Sequence, residues 1–108
     1  MTSGIPPRGS TATKAPLHLE APEKTLWRDL TTNHDFTDAA SRSLLTSTLE
    51  AHMRARRCRI QIATEGETIP DRFGIMKVHP LLAAERDARR AFQQGMKQLN
   101  LDLAGTTK

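Results

Sequence analysis

Apolar residues recur at helical spacing along most of this 108-residue chain. The first such group is Leu26, Trp27 and Leu30, which follows Pro22 and the acidic Glu23. Proline is tolerated in the first turn of a helix because the N–H that it lacks would have no intrahelical partner there. The pattern therefore predicts a short first helix over residues 23–30.

The longest uninterrupted helical pattern covers residues 37–64, which contain neither glycine nor proline. Asn33, Asp35 and Thr37 stand at or before its start and are candidates for the N-cap, whose side chain accepts a hydrogen bond from the first turn. Gly66 supplies a stop signal. The pattern predicts one helix of about 40 Å, at 1.5 Å per residue.

This long helix carries two apolar stripes, whereas a helix in a small monomeric bundle needs only one. The second stripe, with Thr48 included, has the alternating spacing of four and three that packs helices side by side. It is therefore expected to form a contact between subunits; the alternative is that both stripes face other helices of the same chain. The first stripe consists of Leu45, Leu49, Met53, Ile60 and Ala63. The second-stripe residues assigned to the subunit interface are Leu44, Ala51, Ala55, Cys58 and Ile62.

A third helix is predicted after a short irregular segment. Residues 66–79 contain two glycines and Pro70 around a brief alternating run, which indicates a loop or a small hairpin. Pro80 then opens a helix that extends to about residue 99 and is apolar over about 140° of arc. Its opposite face, which is either solvated or bound to a polyanion, carries Arg86, Arg90, Gln93 and Lys97. Together the elements predict an all-α fold in which a short N-terminal helix precedes a hairpin of the central and C-terminal helices.

Both ends of the chain lack the helical pattern. Residues 1–21 hold prolines among Ser, Thr and Gly without an apolar period, which is typical of a disordered arm. Residues 104–108 are expected to fray, so the predicted folded domain covers residues 22–103. The pattern of a membrane span or a signal peptide is absent from the sequence, and a cytosolic location is expected.

The charge favours a polyanionic partner, because the chain has a net charge of +4 and its cations cluster. Four arginines lie within six positions of the long helix. Helical geometry scatters them on one chain, but repetition around a symmetric assembly would generate a positive lining that neutralises phosphates. The alternative is a solubilising face that pairs with nearby acids. The candidate DNA contacts are Arg54, Arg56, Arg57 and Arg59 on the long helix, and Arg86, Arg90 and Lys97 on the third.

No catalytic constellation is found in the sequence. The chain lacks the Gly-rich phosphate loop that ends in Gly-Lys-Ser/Thr, and its four histidines are not spaced as metal ligands. Its carboxylates are assigned to caps, loops and intrahelical pairs such as Glu85 with Arg89. We therefore expect no enzymatic activity, no metal and no cofactor. Cys58, the single cysteine, is expected to be a small buried residue.

From residue 25 onwards the order of features resembles the phage terminase small subunits of the P27 family. The shared features are a Leu-Trp helix, an acidic start to a long helix, a Gly-containing loop that ends in His-Pro, and a charged, alanine-rich helix that ends near leucines. In this chain they occupy residues 25–30, 35–38, 74–82, 85–92 and 99–103.

This resemblance implies a ring-shaped homo-oligomer in the host cytoplasm. It would recognise double-stranded viral DNA, deliver it to the large terminase subunit and modulate the ATPase and nuclease of that partner. Two alternatives remain open: a helical scaffold or interaction protein that its basic residues only solubilise, and a small helix-turn-helix regulator. The regulator fits poorly, because its helices need a tight turn, whereas more than a dozen residues separate the long helix from the third.

Overall fold

The structure, a computed structural model, describes residues 14–100. Three helices account for most of this range, and a small two-stranded sheet separates the second helix from the third, so the helical fold class is confirmed. The predicted fraying of residues 104–108 and most of the predicted N-terminal arm lie outside the described residues. The elements are α1 (Ala21–Asn33), α2 (Ala39–Glu65), β1 (Thr68–Pro70), β2 (Met76–Val78) and α3 (Leu81–Gln98).

The start of α2 differs from the predicted one. Asp38 is the N-cap: its Oδ2 accepts a hydrogen bond from the backbone N–H of Ser41 at 3.2 Å, and its Oδ1 accepts one from the Ser41 hydroxyl at 2.8 Å. None of the three predicted candidates fills this position, because a cap must stand three residues before the N–H that it accepts. The predicted end is confirmed, since Gly66 follows the helix with a φ of 95°, a conformation that favours glycine.

Helices α2 and α3 pack antiparallel as a hairpin with a very close approach. A Cβ atom added to Gly95 would overlap Thr48 of α2, at 2.9 Å from its Cβ and Cγ2 atoms. His52 contacts Phe92 edge to face, with ring centroids 5.0 Å apart, and Arg59 contacts Glu85 nearer the hairpin end. Ala55 and Ala88 are both buried. Small side chains along both helices permit this distance and the burial that it brings.

The second apolar stripe packs within this hairpin, and a subunit contact along it stays a prediction. Helix α3 of the same chain lies against this stripe at Thr48, where it approaches Gly95. This is the alternative in which both stripes face helices of one chain. Of the residues assigned to the interface, Leu44 is half-buried, and the buried ones are Ala51, Ala55, Cys58 and Ile62.

Helix α1 packs on the first half of the other stripe. Leu45 and Leu49 are fully buried there against Trp27, and Leu19 closes the same cluster from the segment before α1. Beyond Met53 the stripe has no cover among the described residues, because α1 is too short to reach it; Ile60 is 55% exposed.

Residues 14–20, predicted as part of the disordered arm, pack against the helices instead. Leu19 is buried in the core, and the His18 ring nitrogen Nε2 lies 2.7 Å from a carboxylate oxygen of Glu50 on α2. The prolines that suggested disorder are compatible with a turn in which the N–H of Leu19 donates to the carbonyl of Pro16 at 3.3 Å. The packed unit therefore begins before residue 22.

The histidine of the His-Pro sequence connects the end of α2 to the start of α3 through hydrogen bonds. His79 is buried, and its Nδ1 accepts a hydrogen bond at 3.0 Å from the backbone N–H of Leu81, which caps the helix. The ring proton therefore lies on Nε2, which donates to Glu65 at 2.6 Å. One histidine thus ties the end of α2 to the start of α3.

Candidate nucleic-acid interface

The outer face of α3 presents a straight basic ridge. The side chains of Arg86, Arg90, Gln93 and Lys97 fall within about 60° of arc when residues are stepped at 100°, and all four are exposed. The distance along the axis from Arg86 to Lys97 is about 16 Å. These four residues are called the α3 ridge below.

The cations of the α3 ridge remain available to a ligand. The Nε atom of Arg86 lies 4.0 Å from Asp87, a distance at the limit of an ion pair between two exposed side chains. Within residues 14–100, neither Arg90 nor Lys97 has an acidic partner. Free guanidinium and ammonium groups on a rigid helix are the donors that phosphate oxygens accept.

Three of the four clustered arginines at 54–59 on α2 are, in contrast, engaged in ion pairs within the chain. Arg56 holds two acids of the α1 region: its Nε and Nη2 donate to Glu23 at 3.0 and 2.9 Å, and Nη2 also pairs with Glu20. Arg57 donates to Glu20 at 2.9 and 2.5 Å. Arg59 pairs with Glu85 of α3 at 3.3 Å. The run therefore fastens α1 and α3 to the central helix.

Glu23 is the centre of this fastening. Its side chain is 0% exposed, and besides Arg56 it contacts Nδ1 of His52 at 2.6 Å. Burial is the largest influence on the Glu23 pKa and raises it, but the hydrogen bonds from Arg56 and His52 outweigh burial and leave the pKa below its ordinary value. The pKa of Arg56 is raised by the hydrogen bond to Glu23. The carboxylate is thus held ionised.

Arg54 is the exception in the α2 run. It is exposed, and within the described residues it has no acidic partner. It lines a surface hollow of about 340 Å³ together with His18, Glu50, Met53 and Arg57. Two of these neighbours, Glu50 and Arg57, already pair with His18 and Glu20. Arg54 therefore adds a single cation to the hollow and does not make it a basic surface.

The predicted site residues therefore divide into two groups. Arg86, Arg90 and Lys97 form one continuous face, whereas the half-buried Arg56 and the exposed Arg57 and Arg59 are ion-paired within the chain and do not form a basic surface with it. The acids that bind them were missed. The spacing of these residues indicates the pairing. Glu20 and Glu23 are three residues apart and His52 and Arg56 are four apart, so each pair lies on one helical face and can meet the other.

Glu85 was assigned to an intrahelical pair with Arg89, and this pair is present. Within residues 14–100, the His, Cys, Asp and Glu side chains form no group of three or more that could hold a metal ion. In the same range, no helix has the length and apolar character that crossing a membrane requires.

The described residues thus form a small helical domain, an antiparallel helical hairpin with a basic outer face on α3. The family model of the phage terminase small subunit matches residues 24–108, so the chain belongs to the phage terminase small-subunit family. The match supports a role in phage packaging, and membership of the P27 family in particular stays a prediction. No curated protein and no solved structure matches the chain.

Proposed function

We propose that this subunit recognises duplex viral DNA through the α3 ridge and delivers it to the large terminase subunit. The observation that carries the proposal is the contrast in pairing: the cations of the ridge lack strong intrachain partners within the described residues, whereas most of the arginine run on α2 is consumed by Glu20, Glu23 and Glu85.

The ridge suits contact with the phosphate backbone better than reading of bases. Arg86, Arg90 and Lys97 are spread along one straight line of about 16 Å, and a line of cations neutralises successive phosphates and releases their counterions. Gln93 adds a neutral donor within the same line. Such contacts position DNA without specifying its sequence.

Repetition of the ridge is the proposed source of affinity. A few phosphate contacts per chain bind weakly, but several copies in one assembly act together because later contacts form at high effective concentration. We place the subunit contact at the β-hairpin and the end of α2, since the second stripe is covered by α3. The exposed apolar side chains there are Ile60, Phe73, Ile75, Met76 and Val78.

In this proposal the chemistry of packaging belongs to the large subunit. The chain lacks a phosphate-loop sequence, and several of its acidic side chains are engaged in caps and ion pairs, such as Asp38 with Ser41 and Glu85 with Arg89. The small subunit then modulates an ATPase and nuclease that it does not itself carry.

The test is a salt titration of duplex DNA binding by fluorescence anisotropy. The double variant Arg86→Ala/Arg90→Ala should weaken binding and reduce the slope of log affinity against log salt, by about 0.9 for each phosphate contact removed. Lys24→Ala/Arg28→Ala is the matched control, because it removes the same charge from exposed or half-buried positions on α1. Its slope should stay near that of the parent.

Other outcomes would select a different function. Binding that is absent at every salt concentration would favour the helical scaffold or interaction protein. Equal losses in the two double variants would mean that net charge, rather than the α3 ridge, drives association. A helix-turn-helix regulator is disfavoured by the antiparallel packing of α2 on α3 and by the β-hairpin between them.

A further inference from the structure

A second surface feature lies on the side of α1 and does not involve the α3 ridge. Here the segment before α1 and one face of α1 flank an open hollow of about 400 Å³. It is called the N-terminal hollow below, and the residues that line it are Lys14, Ala15, Leu17, Lys24, Trp27, Arg28 and Thr31.

The charge around the N-terminal hollow is of one sign. Lys14, Lys24 and Arg28 stand around it, and no acidic side chain lines it. Within the described residues none of these three cations is in an ion pair, although elsewhere in the structure basic side chains repeatedly find acids. A ligand that enters the hollow therefore meets an uncompensated positive rim.

The interior of the hollow is apolar. Leu17 is 89% exposed, which is unusual for a leucine beside a formed core, and Ala15 and Trp27 continue the surface inwards. Trp27 itself is only 3% exposed, so its ring face is not open for a nucleic-acid base to stack on. An aliphatic side chain, by contrast, could cover Leu17 and fill the space.

We propose that the N-terminal hollow is a docking site for a short acidic peptide segment of a partner protein, with a leucine or similar aliphatic anchor flanked by carboxylates. The anchor contacts Leu17 and Ala15 above the buried Trp27, and the carboxylates meet Lys24 and Arg28. Charge complementarity and the apolar interior both favour this ligand over a phosphate backbone, which carries charge but no anchor. The site is independent of the DNA contact proposed above.

The chain contains its own reporter for this site, because Trp27 is the single tryptophan. The probe is a synthetic hexapeptide with two central leucines flanked by aspartate and glutamate on each side, which has no aromatic residue. Titration of this peptide into the full chain should change the Trp27 emission in a saturable way. A peptide with serine in place of both leucines should bind at least about tenfold more weakly.

Variants of the rim and of the anchor surface complete the test. Lys24→Glu/Arg28→Glu should raise the dissociation constant of the peptide at least about tenfold, and Leu17→Ser should raise it as well. Arg86→Ala/Arg90→Ala, on the α3 ridge, is the control and should leave peptide binding unchanged. Circular dichroism establishes that each variant retains its helices.

Three results would overturn the proposal: no saturable change in Trp27 emission, equal affinity for the leucine and serine peptides, or a loss of DNA affinity in Lys24→Glu/Arg28→Glu that exceeds its loss of peptide affinity. The last result would assign the hollow to nucleic acid. Tighter peptide binding after deletion of residues 101–108, which include an Asp between two leucines, would assign it to the chain's own end rather than to a partner.

Discussion

At the scale of single residues, the fold depends on charged side chains that are buried or half-buried in pairs. Glu23 is fully covered, while its partner Arg56 keeps 26% of its side chain exposed. A carboxylate in such a place is tolerated because three donated hydrogen bonds from Arg56 and His52 replace its hydration. The same side chains that suggested a nucleic-acid surface therefore hold α1 in position.

The pH dependence of stability should follow from this carboxylate. The pKa of Glu23 in the folded chain is lowered from the ordinary value of 4.5 that applies to the unfolded chain. Between these two pKa values the unfolded chain therefore binds more protons than the folded one, and stability increases with pH. The contribution is complete above about pH 4.5 and is lost as the pH falls through the folded value. The pKa values of three other carboxylates are also lowered by hydrogen bonds: that of Glu20 by Arg57, that of Glu65 by His79 and that of Glu85 by Arg89.

Urea unfolding from pH 3 to pH 7 measures this dependence, with Glu23→Gln as the test variant. At pH 7 the free energy of unfolding of the variant should be roughly 2–3 kcal/mol lower than that of the parent. This loss is smaller than the loss from breaking a fully buried ion pair, because Arg56 is partly solvated and retains Glu20. The stability of the variant should also vary less with pH than that of the parent. Parallel pH profiles for the two proteins would contradict the assignment.

At the scale of elements, the hairpin of α2 and α3 depends on the absence of a side chain at Gly95. Glycine weakens a helix by about 1 kcal/mol relative to alanine, so its presence in the last turn of α3 needs a reason. The Thr48 hydroxyl, which also donates to the carbonyl of Leu44 at 2.7 Å, occupies the space that a Cβ would need.

Gly95→Ala should therefore destabilise the protein by about 1–3 kcal/mol, because overpacking exceeds the gain in helix propensity. The melting temperature and the urea midpoint measure the effect. Adding Thr48→Ala to Gly95→Ala should recover part of the loss, since it removes the hydroxyl and the Cγ2 methyl group. Gln94→Ala, on an exposed position of the same helix, is the control and should change stability by less than about 0.5 kcal/mol. A stabilised Gly95→Ala would mean that the helices lie further apart.

At the scale of the whole molecule, the exposed apolar surface of the β-hairpin is where we propose that further copies pack. Phe73 at the hairpin tip is 74% exposed, and β2 is exposed along its length. A two-stranded ribbon is marginal alone, and clustered exposed apolar side chains in a soluble chain usually mark an interface. The proposed ring would therefore use the hairpin rather than the second stripe of α2.

Light scattering on the double variant Phe73→Ser/Met76→Ser tests this placement. The parent should have a solution mass of several subunits, and the variant should dissociate to a smaller species, because each substitution removes an apolar contact from the interface. Leu17→Ser, which alters a leucine of comparable exposure outside the β-hairpin, should leave the mass unchanged. A monomeric parent, or a variant with the mass of the parent, would remove the hairpin from the assembly.

The sequence by itself determined the helices and their limits to within a few residues. Period, proline and glycine act within one or two turns, so the length of α2, the stop at Gly66 and the short hairpin follow from local rules. The basic face of α3 was also predictable, because all its members lie on one helix and need only helical geometry to align.

The tertiary structure alone decided which helix faces pack together and which cations have no carboxylate partner within the described residues. Glu23 and His52 are 29 residues apart and Glu20 and Arg57 are 37 apart, so their pairing depends on the register between helices, which no local pattern encodes. The same register covers the second stripe with α3 and leaves the hairpin bare. The candidate DNA contacts were predicted on both α2 and α3, and only the packing separates them: Arg56, Arg57 and Arg59 have carboxylate partners, whereas Arg90 and Lys97 have none within the described residues.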